Sequence, residues 1–183
     1  MNKDDLRREV KRILAETDKE YFEQADKIIS QKVLHSDKFR NCKTVFVYVS
    51  TETEPDTSEI IETALKLGKT VCVPKCITKN EMKAVRIFST DELKPGYFGI
   101  KEPESCENEI KSEDIDLALI PCMAASYDGS RLGHGAGYYD RFLAHTEAYK
   151  ICLCFEKLIY FNIPTDEYDV KSDRTITESL KSE

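Results

Sequence analysis

The segment GSRLGHGAGYYDR, residues 129–141, combines several glycines, which have no side chain, with charged residues. Four of the chain's seven glycines lie in its first nine residues. Glycine allows a ligand to approach backbone amides closely, and a helix that begins behind such a loop turns N–H groups and partial positive charge toward it. Arg131 can add a charge-assisted contact of about 1.5–3 kcal/mol. These residue types at this spacing favour the binding of phosphate.

The glycine spacing, G-x-x-x-G-x-G-x-G, matches neither the P-loop nor the dinucleotide-binding fingerprint. A tight turn between a strand and a helix, with glycines required only for packing, is therefore an alternative interpretation. Asp140 lies a few residues into the helix that the segment is expected to begin. One carboxylate beside bound phosphate is a usual ligand of Mg²⁺, which takes one or two protein carboxylates and keeps several waters. A solvent-exposed helix aspartate is the alternative.

The elements that must position this segment alternate between helices and strands. Apolar periodicity predicts a helix over residues 2–16, a second helix after Asp18 and a third that ends at Gly68. Apolar runs predict strands over residues 44–50, 70–74, 82–88, 116–122 and 149–156. The glycine segment then directly follows a central strand and leads into a helix that begins GYYDRFLAHT. Open α/β sheets bind ligands at this carboxyl edge.

The alternation predicts the fold class α/β with a largely parallel sheet. We expect one domain over residues 1–183, a three-layer Rossmann-like sandwich in which the helices of residues 1–35 pack on the α/β core. Residues 89–113 contain prolines, glycines and many acids, which predicts a long irregular excursion. Long loops in compact domains are often functional.

Composition limits the classes of partner. The chain has 34 acidic and 27 basic residues and a formal net charge of −7, which argues against nucleic acid or an anionic membrane. Its first residues are charged throughout, and its longest apolar stretch, LALIPCMAA, is too short to span a bilayer. Seven cysteines without a Cys-x-x-Cys pair favour buried, reduced thiols over a zinc site. We expect a soluble cytoplasmic protein and, since no heptad pattern is present, a monomer.

The glycine segment also carries a resemblance to a known family. RLGHGAGYYDR after a strand that ends in Ile-Pro resembles the signature of 5-formyltetrahydrofolate cyclo-ligase, also called 5,10-methenyltetrahydrofolate synthetase. Further segments agree with the family in order along nearly the whole chain: KDDLR, YVSTETEPDT, GKTVCVP, GIKEPE and IPTDEYDVKSDRTIT.

The resemblance implies a reaction between two small-molecule substrates, ATP and a reduced folate. With Mg²⁺ as cofactor, 5-formyltetrahydrofolate becomes 5,10-methenyltetrahydrofolate through a phosphorylated formyl intermediate, and ADP and phosphate are released. One alternative is a non-catalytic folate-binding protein on the same fold. Another is a sugar-phosphate or acyl-CoA enzyme that uses the same phosphate cradle.

The resemblance also implies roles for individual residues. Those expected to bind ATP come from the first helix and the glycine segment: Lys3, Arg7, Arg131, Leu132, Gly133, His134, Gly135, Ala136, Gly137, Tyr138 and Tyr139. Those expected to bind the folate are Val49, Glu54, Phe98, His134, Gly135, Ala136, Gly137 and Tyr138. Arg131 and Tyr138 are expected to be catalytic. Asp140 and Asp169 are expected to hold Mg²⁺, which requires residues 162–178 to fold back over the sheet edge.

From the residues alone, most assignments outside the glycine segment have an alternative. Lys3 and Arg7 fit the solvent-exposed basic face of a helix. Glu54 fits one acid among several in a loop. Phe98 fits a core aromatic residue, and Asp169 fits an ordinary residue of a polar tail.

Five positions depart from the family pattern. Cys122, Ala125 and Ser126 stand where the family tends to have glycine, phenylalanine and aspartate. His134 replaces a common tyrosine, and Ala136 replaces a glycine or lysine. We expect these differences to alter the shape of the folate pocket more than the ATP site.

Overall fold

A computed structural model describes residues 2–96 and 99–179 of the chain. Its helices are α1 (Lys3–Ala15), α2 (Lys19–His35), α3 (Asp37–Asn41), α4 (Ser58–Lys66) and α5 (Tyr138–Leu143). Its strands are β1 (Thr44–Val47), β2 (Thr70–Cys76), β3 (Met82–Ile87), β4 (Leu93–Pro95), β5 (Lys101–Pro103), β6 (Glu109–Ile110), β7 (Leu117–Ile120), β8 (Ala124–Ala125), β9 (Arg131–Leu132), β10 (Tyr149–Leu153) and β11 (Arg174–Ile176). None of the helices in these two ranges has the length and apolar character that a bilayer crossing requires.

A seven-stranded sheet forms the centre of the described fold, in the order β11-β10-β7-β1-β2-β3-β6. The five strands from β11 to β2 run parallel, and β3 and β6 continue the sheet antiparallel. In β1, Val45, Phe46 and Val47 are fully buried. Such continuous burial is typical of a parallel strand that is covered on both faces. The predicted α/β class with a largely parallel sheet is confirmed.

The N-terminal helices share their core with the sheet. Leu6 and Val10 of α1, Ile29 of α2 and Ile60 of α4 belong to the same buried cluster as the strands. The periodicity that predicts the helices is therefore the periodicity of this buried face. Helix α4 ends at Lys66, and Gly68 adopts a left-handed φ of 73° just beyond it, as the sequence predicts. Burial of one face of α1 fixes the position of its polar face.

The prediction for residues 89–113 is wrong, because the segment contains regular structure. Strands β4 and β5 form a hairpin, and β6 pairs with β3 at the edge of the main sheet. A Cβ placed on Gly96 would overlap the Glu102 side chain, which would have to move to make room for it. Each of these strands has only two or three residues, too few to give an alternating sequence pattern.

Several predicted strands form but end earlier than their apolar runs. Strand β1 ends at Val47, β7 at Ile120 and β10 at Leu153. The runs continue because the chain beyond each strand stays buried, as at Tyr48 and Phe155. The glycine segment also does not directly follow a central strand. Its first residues form part of the hairpin of β8 and β9, with Gly129 in the connecting turn, and this hairpin separates residues 133–137 from β7.

The polar tail folds back onto the sheet, as the metal assignment requires. Strand β11 pairs parallel with β10 at the sheet edge. Just before it, the Ser172 N–H and hydroxyl donate to the Gly129 carbonyl at 2.9 and 3.1 Å. A Cβ on Gly129 would overlap the Ser172 carbonyl oxygen, and Gly129 has a left-handed φ of 88°. The tail is thus docked on the turn that precedes the glycine loop.

All seven cysteines are free thiols. Five of them are buried, including Cys122, Cys152 and Cys154, so the prediction is correct for these. Cys76 and Cys106 are partly exposed and depart from it. Burial raises the pKa of the Cys72 thiol to about 12, which keeps that thiol protonated at neutral pH.

Candidate active site

Two cavities share the glycine loop, residues 133–137, as a common wall. The first, the tail cavity, has a volume of about 790 Å³ and lies between α1, the loop and residues 166–170. The second, the sheet cavity, has a volume of about 560 Å³ and lies against the ends of β1 and β2 and the β4–β5 hairpin. Four residues line both cavities: Arg131, Gly133, Gly137 and Asp140. This arrangement suits an enzyme that brings two ligands together across one loop.

The backbone of the glycine loop offers unused hydrogen-bond donors. Among the described residues, no acceptor receives the N–H groups of residues 133–137. Gly135 and Gly137 have left-handed φ values of 107° and 67°. Helix α5 begins directly after Gly137 without a side-chain cap, and first-turn amides have no partner within a helix. The loop therefore presents a row of donors of the kind that binds anions.

Two arginines hold the carbonyl oxygens of the same loop. Arg7 donates from Nε to the Gly133 carbonyl at 3.0 Å, and Arg141 donates from Nη2 to the Ala136 carbonyl at 2.8 Å. Gly137 has a left-handed φ of 67°, which favours glycine, and a Cβ there would lie 2.8 Å from Nη1 of Arg141, a flexible side-chain end that can shift. These two contacts fix the loop through carbonyl oxygens, so they do not use its amide groups.

Arg131 lies at the wall that the two cavities share. Its side chain is only 3% exposed, and Nη2 donates to Asp140 Oδ1 at 2.6 Å. The same oxygen accepts the Val170 N–H at 3.1 Å. Nε of Arg131 is buried and has no partner among the described residues. An unpaired buried donor of a charged group is costly, so an acceptor on a bound ligand would relieve it.

Lys3 joins the first helix to the tail. Its ammonium donates to Asp166 Oδ2 at 2.7 Å and to Asp169 Oδ2 at 2.6 Å. Burial alone would raise the pKa of Asp169, but the hydrogen bonds from Lys3 and from the Asp166 N–H outweigh it and leave this pKa below its ordinary value. Burial would lower the pKa of Lys3, but its two carboxylate partners leave it raised. A cation is therefore already stabilised at these carboxylates.

Glu54 supplies a buried carboxylate to the sheet cavity. The residue is 8% exposed, and Oε2 accepts the N–H and the hydroxyl of Thr51, both at 2.9 Å. His134 Nε2 lies 3.2 Å from Oε1. Burial would raise the pKa of Glu54, but His134 and Thr51 outweigh it, so this pKa is lowered and the group is ionised at neutral pH. A fixed carboxylate in a mainly apolar cavity suits a flat ligand with paired N–H donors.

The profile of the 5-formyltetrahydrofolate cyclo-ligase family matches residues 1–178. The chain belongs to this family. A probable 5-formyltetrahydrofolate cyclo-ligase of Caenorhabditis elegans is 35% identical, over 96% of this chain and 92% of that protein. The 5-formyltetrahydrofolate cyclo-ligase of Mus musculus is 31% identical, over 94% and 92%. The solved 5,10-methenyltetrahydrofolate synthetase of Aquifex aeolicus superposes with a TM-score of 0.86 at 29% identity, over 97% of this chain and 90% of that one. The predicted family, fold class and cyclo-ligase function are confirmed.

The structure divides the residues predicted from the family resemblance between the two cavities. Those lining the tail cavity are Lys3, Arg7, Arg131, Leu132, Gly133, Gly135, Gly137, Asp140 and Asp169. Those lining the sheet cavity include Val49, Glu54, His134, Ala136, Tyr138 and Tyr139. Four residues predicted to contact ATP therefore line the sheet cavity instead: His134, Ala136, Tyr138 and Tyr139. Gly135, which was also predicted to bind the folate, lines the tail cavity. Phe98 lies outside the described residues.

Burial decides several of the alternatives that the sequence leaves open. The side chains of Lys3 and Arg7 are both 22% exposed and bind the tail and the loop, so a solvent-exposed basic face is wrong. The Glu54 side chain is 6% exposed, which does not fit an ordinary loop acid. The Asp140 and Asp169 side chains are 21% and 20% exposed, and both line the tail cavity.

The sequence did not point to several other residues of the candidate site. Thr51 orients Glu54, and the Thr-x-x-Glu spacing, which often forms local reciprocal hydrogen bonds, was its available signal. Tyr48 lines the sheet cavity and donates its hydroxyl to the Pro55 carbonyl at 2.7 Å, which shapes the loop that carries Glu54. Met82, 8% exposed, is both a buried core residue and part of the wall of the sheet cavity. Asp166 shares Lys3 with Asp169.

Proposed function

We propose that the chain catalyses the ATP- and Mg²⁺-dependent conversion of 5-formyltetrahydrofolate into 5,10-methenyltetrahydrofolate, with release of ADP and phosphate. The observation that carries this proposal is the pair of cavities that meet at one loop with unused amides. ATP occupies the tail cavity and the folate occupies the sheet cavity. The formyl oxygen and the terminal phosphate then approach each other beside Arg131, which lines both cavities.

The sheet cavity supports the folate assignment through Glu54. The amino-pyrimidinone edge of a pterin presents two parallel N–H donors, which an ionised carboxylate accepts well. Val49 and Met82 supply apolar wall for the flat ring system. Because His134 shares Glu54 in the structure, pterin binding has to accommodate or displace this imidazole. The departure from tyrosine at position 134 therefore bears directly on the folate pocket.

The chemistry requires positioning and charge stabilisation rather than a protein nucleophile. Transfer of the terminal phosphoryl group to the formyl oxygen forms that O–P bond and breaks the bond to ADP. The side-arm nitrogen of the folate then attacks the activated carbon, loses its proton, and phosphate departs with the oxygen. Arg131 Nε and the loop amides can balance the charge on the phosphoryl oxygens.

Tyr138, predicted to be catalytic, supports the site in another way. Its hydroxyl donates to the Thr78 carbonyl at 2.9 Å, and its side chain lines the sheet cavity. This bond ties the start of α5 to the segment after β2. We therefore assign Tyr138 to positioning the glycine loop rather than to proton transfer.

The carboxylates of the tail cavity fit Mg²⁺. Carboxylate oxygens are the ligands that Mg²⁺ prefers, and the Lys3 ammonium at Asp166 and Asp169 marks a place that stabilises a cation. Within residues 2–96 and 99–179, no group of three or more His, Cys, Asp or Glu side chains is arranged to hold a metal alone. This agrees with a metal that takes one or two carboxylates, Asp140 and Asp169, and completes its shell with phosphate oxygens and water. When bound, Mg²⁺ neutralises phosphate charge.

We further propose that the enzyme works in the cytoplasm as a monomer on small-molecule substrates, without nucleic acid or membrane. The seven free thiols agree with a reducing compartment, and the net charge of −7 disfavours polyanionic partners. Size-exclusion chromatography with light scattering tests the monomer, and a mass twice that of the chain would contradict it.

Methenyl absorbance tests the proposed reaction. Product should form only when ATP, Mg²⁺ and 5-formyltetrahydrofolate are all present. Arg131→Lys should lower kcat about 100-fold or more, the usual effect of removing one donor from a developing anion. Thermal unfolding with and without folate separates lost catalysis from a lost fold. Folded wild-type protein that binds folate without turnover would instead favour the non-catalytic alternative.

A further inference from the structure

Tyr168 is a large aromatic residue exposed at the tail cavity. The residue is 79% exposed, and it lines the cavity between Asp166 and Asp169. It takes part in no hydrogen bond, ion pair or ring contact among the described residues. No residue role described above accounts for an aromatic ring in this position.

The lining of the tail cavity includes a basic part and an apolar or aromatic part. Lys3, Arg7, Arg131 and the loop amides match the phosphates of a nucleotide. Four apolar or aromatic residues come from the tail and from the chain just after α5, beside the acidic side chains of the same tail: Tyr168, Val170, Ala144 and His145. A nucleoside triphosphate has the same division, with a charged chain at one end and a flat base at the other.

The backbone on both sides of Tyr168 is held in place. Lys3 binds the carboxylates of Asp166 and Asp169, and the Val170 N–H donates to Asp140 at 3.1 Å. The ring is thus carried by a fixed segment while most of its surface stays uncovered. A stacking surface of this kind costs little to order when a planar ligand binds, because its main chain is already placed.

We infer that Tyr168 stacks on the nucleobase of the nucleotide bound in the tail cavity, an inference that rests on the proposed binding of ATP there. Stacking of a base on an aromatic side chain changes affinity by about 5- to 150-fold. Tyr168 then favours a nucleoside triphosphate over a bare polyphosphate. The folate in the sheet cavity does not contact it.

A tryptophan at position 168 tests the contact directly, because the chain contains no tryptophan. In Tyr168→Trp, Mg²⁺–ATP should shift or quench the single indole fluorescence, whereas inorganic tripolyphosphate with Mg²⁺ should not. Phe161→Trp is the matched control, since Phe161 is fully exposed and lines neither cavity. Its fluorescence should respond to neither ligand. An equal response of Tyr168→Trp to tripolyphosphate, or no response to ATP, would overturn the inference.

Affinity provides a second measurement that does not depend on fluorescence. Tyr168→Ala should raise the Kd of ATP about 5- to 150-fold and leave the Kd of tripolyphosphate unchanged, and Tyr168→Phe should behave as wild type. Lys3→Met should weaken both ligands. If ATP binds and turns over but Tyr168→Ala leaves its Kd unchanged, only the stacking is wrong. If wild-type protein binds neither ATP nor tripolyphosphate, the proposed nucleotide site is wrong, and the stacking inference is wrong as well.

Discussion

Replacement of Gly129 by alanine tests whether docking of the tail completes the site. Gly129 has φ of 88°, and its Cβ would overlap the Ser172 carbonyl oxygen. Alanine in the left-handed region costs about 1–2 kcal/mol. Displacing Ser172 also breaks its two hydrogen bonds to the Gly129 carbonyl, each about 1 kcal/mol. We therefore expect Gly129→Ala to lower the free energy of unfolding by about 3–4 kcal/mol.

Gly68→Ala is the matched control for the backbone cost. Gly68 has a similar φ of 73°, but nothing lies within 4 Å of its Cβ position. It should lose only about 1–2 kcal/mol. Urea unfolding measures both variants. Because Asp169 lies on the same tail, Gly129→Ala should also raise the KM for Mg²⁺–ATP and speed tryptic cleavage after Lys171.

A Gly129→Ala variant that is no less stable than Gly68→Ala would contradict this prediction. A Gly129→Ala tail that resists trypsin as well as that of wild type, with an unchanged KM for Mg²⁺–ATP, would contradict it as well. Either result would mean that the tail docks without the contact between Gly129 and Ser172.

Three further changes probe single groups. Glu54→Gln removes the charge and keeps the shape, so the Kd of 5-formyltetrahydrofolate should rise about 10- to 150-fold while ATP binding, measured by calorimetry, stays unchanged. Arg7→Met should weaken tripolyphosphate binding. Arg8 lies next to it on α1 with a 78% exposed side chain, so Arg8→Met should leave that binding unchanged. Equal effects of the two changes would mean that Arg7 contributes only through its net charge. The lowered pKa of Asp169 means that its ion pair with Lys3 stabilises the fold above the unfolded value of 3.8 and is lost as pH falls below the folded value. The stability difference between wild type and Asp169→Asn in urea should therefore shrink on acidification, and a difference that grows would contradict this origin.

Local signals predicted the parts of the fold that depend on local interactions. The end of α4 followed from Gly68, and the buried strands followed from their apolar runs. The β4–β5 hairpin and β11 did not, because three-residue strands carry no measurable period and are formed by pairing with distant segments. The strands predicted from the apolar runs were also too long, because the chain stays buried beyond the last hydrogen bond between the strands.

The candidate site was predicted mainly by family resemblance, and the geometry supplied what spacing cannot. Arg7 meets the Gly133 carbonyl 126 residues later in the chain, a contact that no local pattern encodes. From its own residues, α1 fits a solvent-exposed basic face equally well. Likewise, only the fold shows that Asp140 is engaged by Arg131 and by the tail, or that His134 lies against Glu54.

The wall common to both cavities has a consequence for how the two ligands influence each other. Arg131 and Asp140 line both cavities, so a movement of these side chains that one ligand causes also changes the contacts of the other ligand. Linkage makes that influence reciprocal: the factor by which folate alters nucleotide affinity equals the factor by which nucleotide alters folate affinity. An affinity measured for one ligand alone therefore differs from its affinity when the other cavity is occupied. A single compound in which a nucleotide and a folate are tethered would occupy both cavities at once, so its affinity would include this coupling.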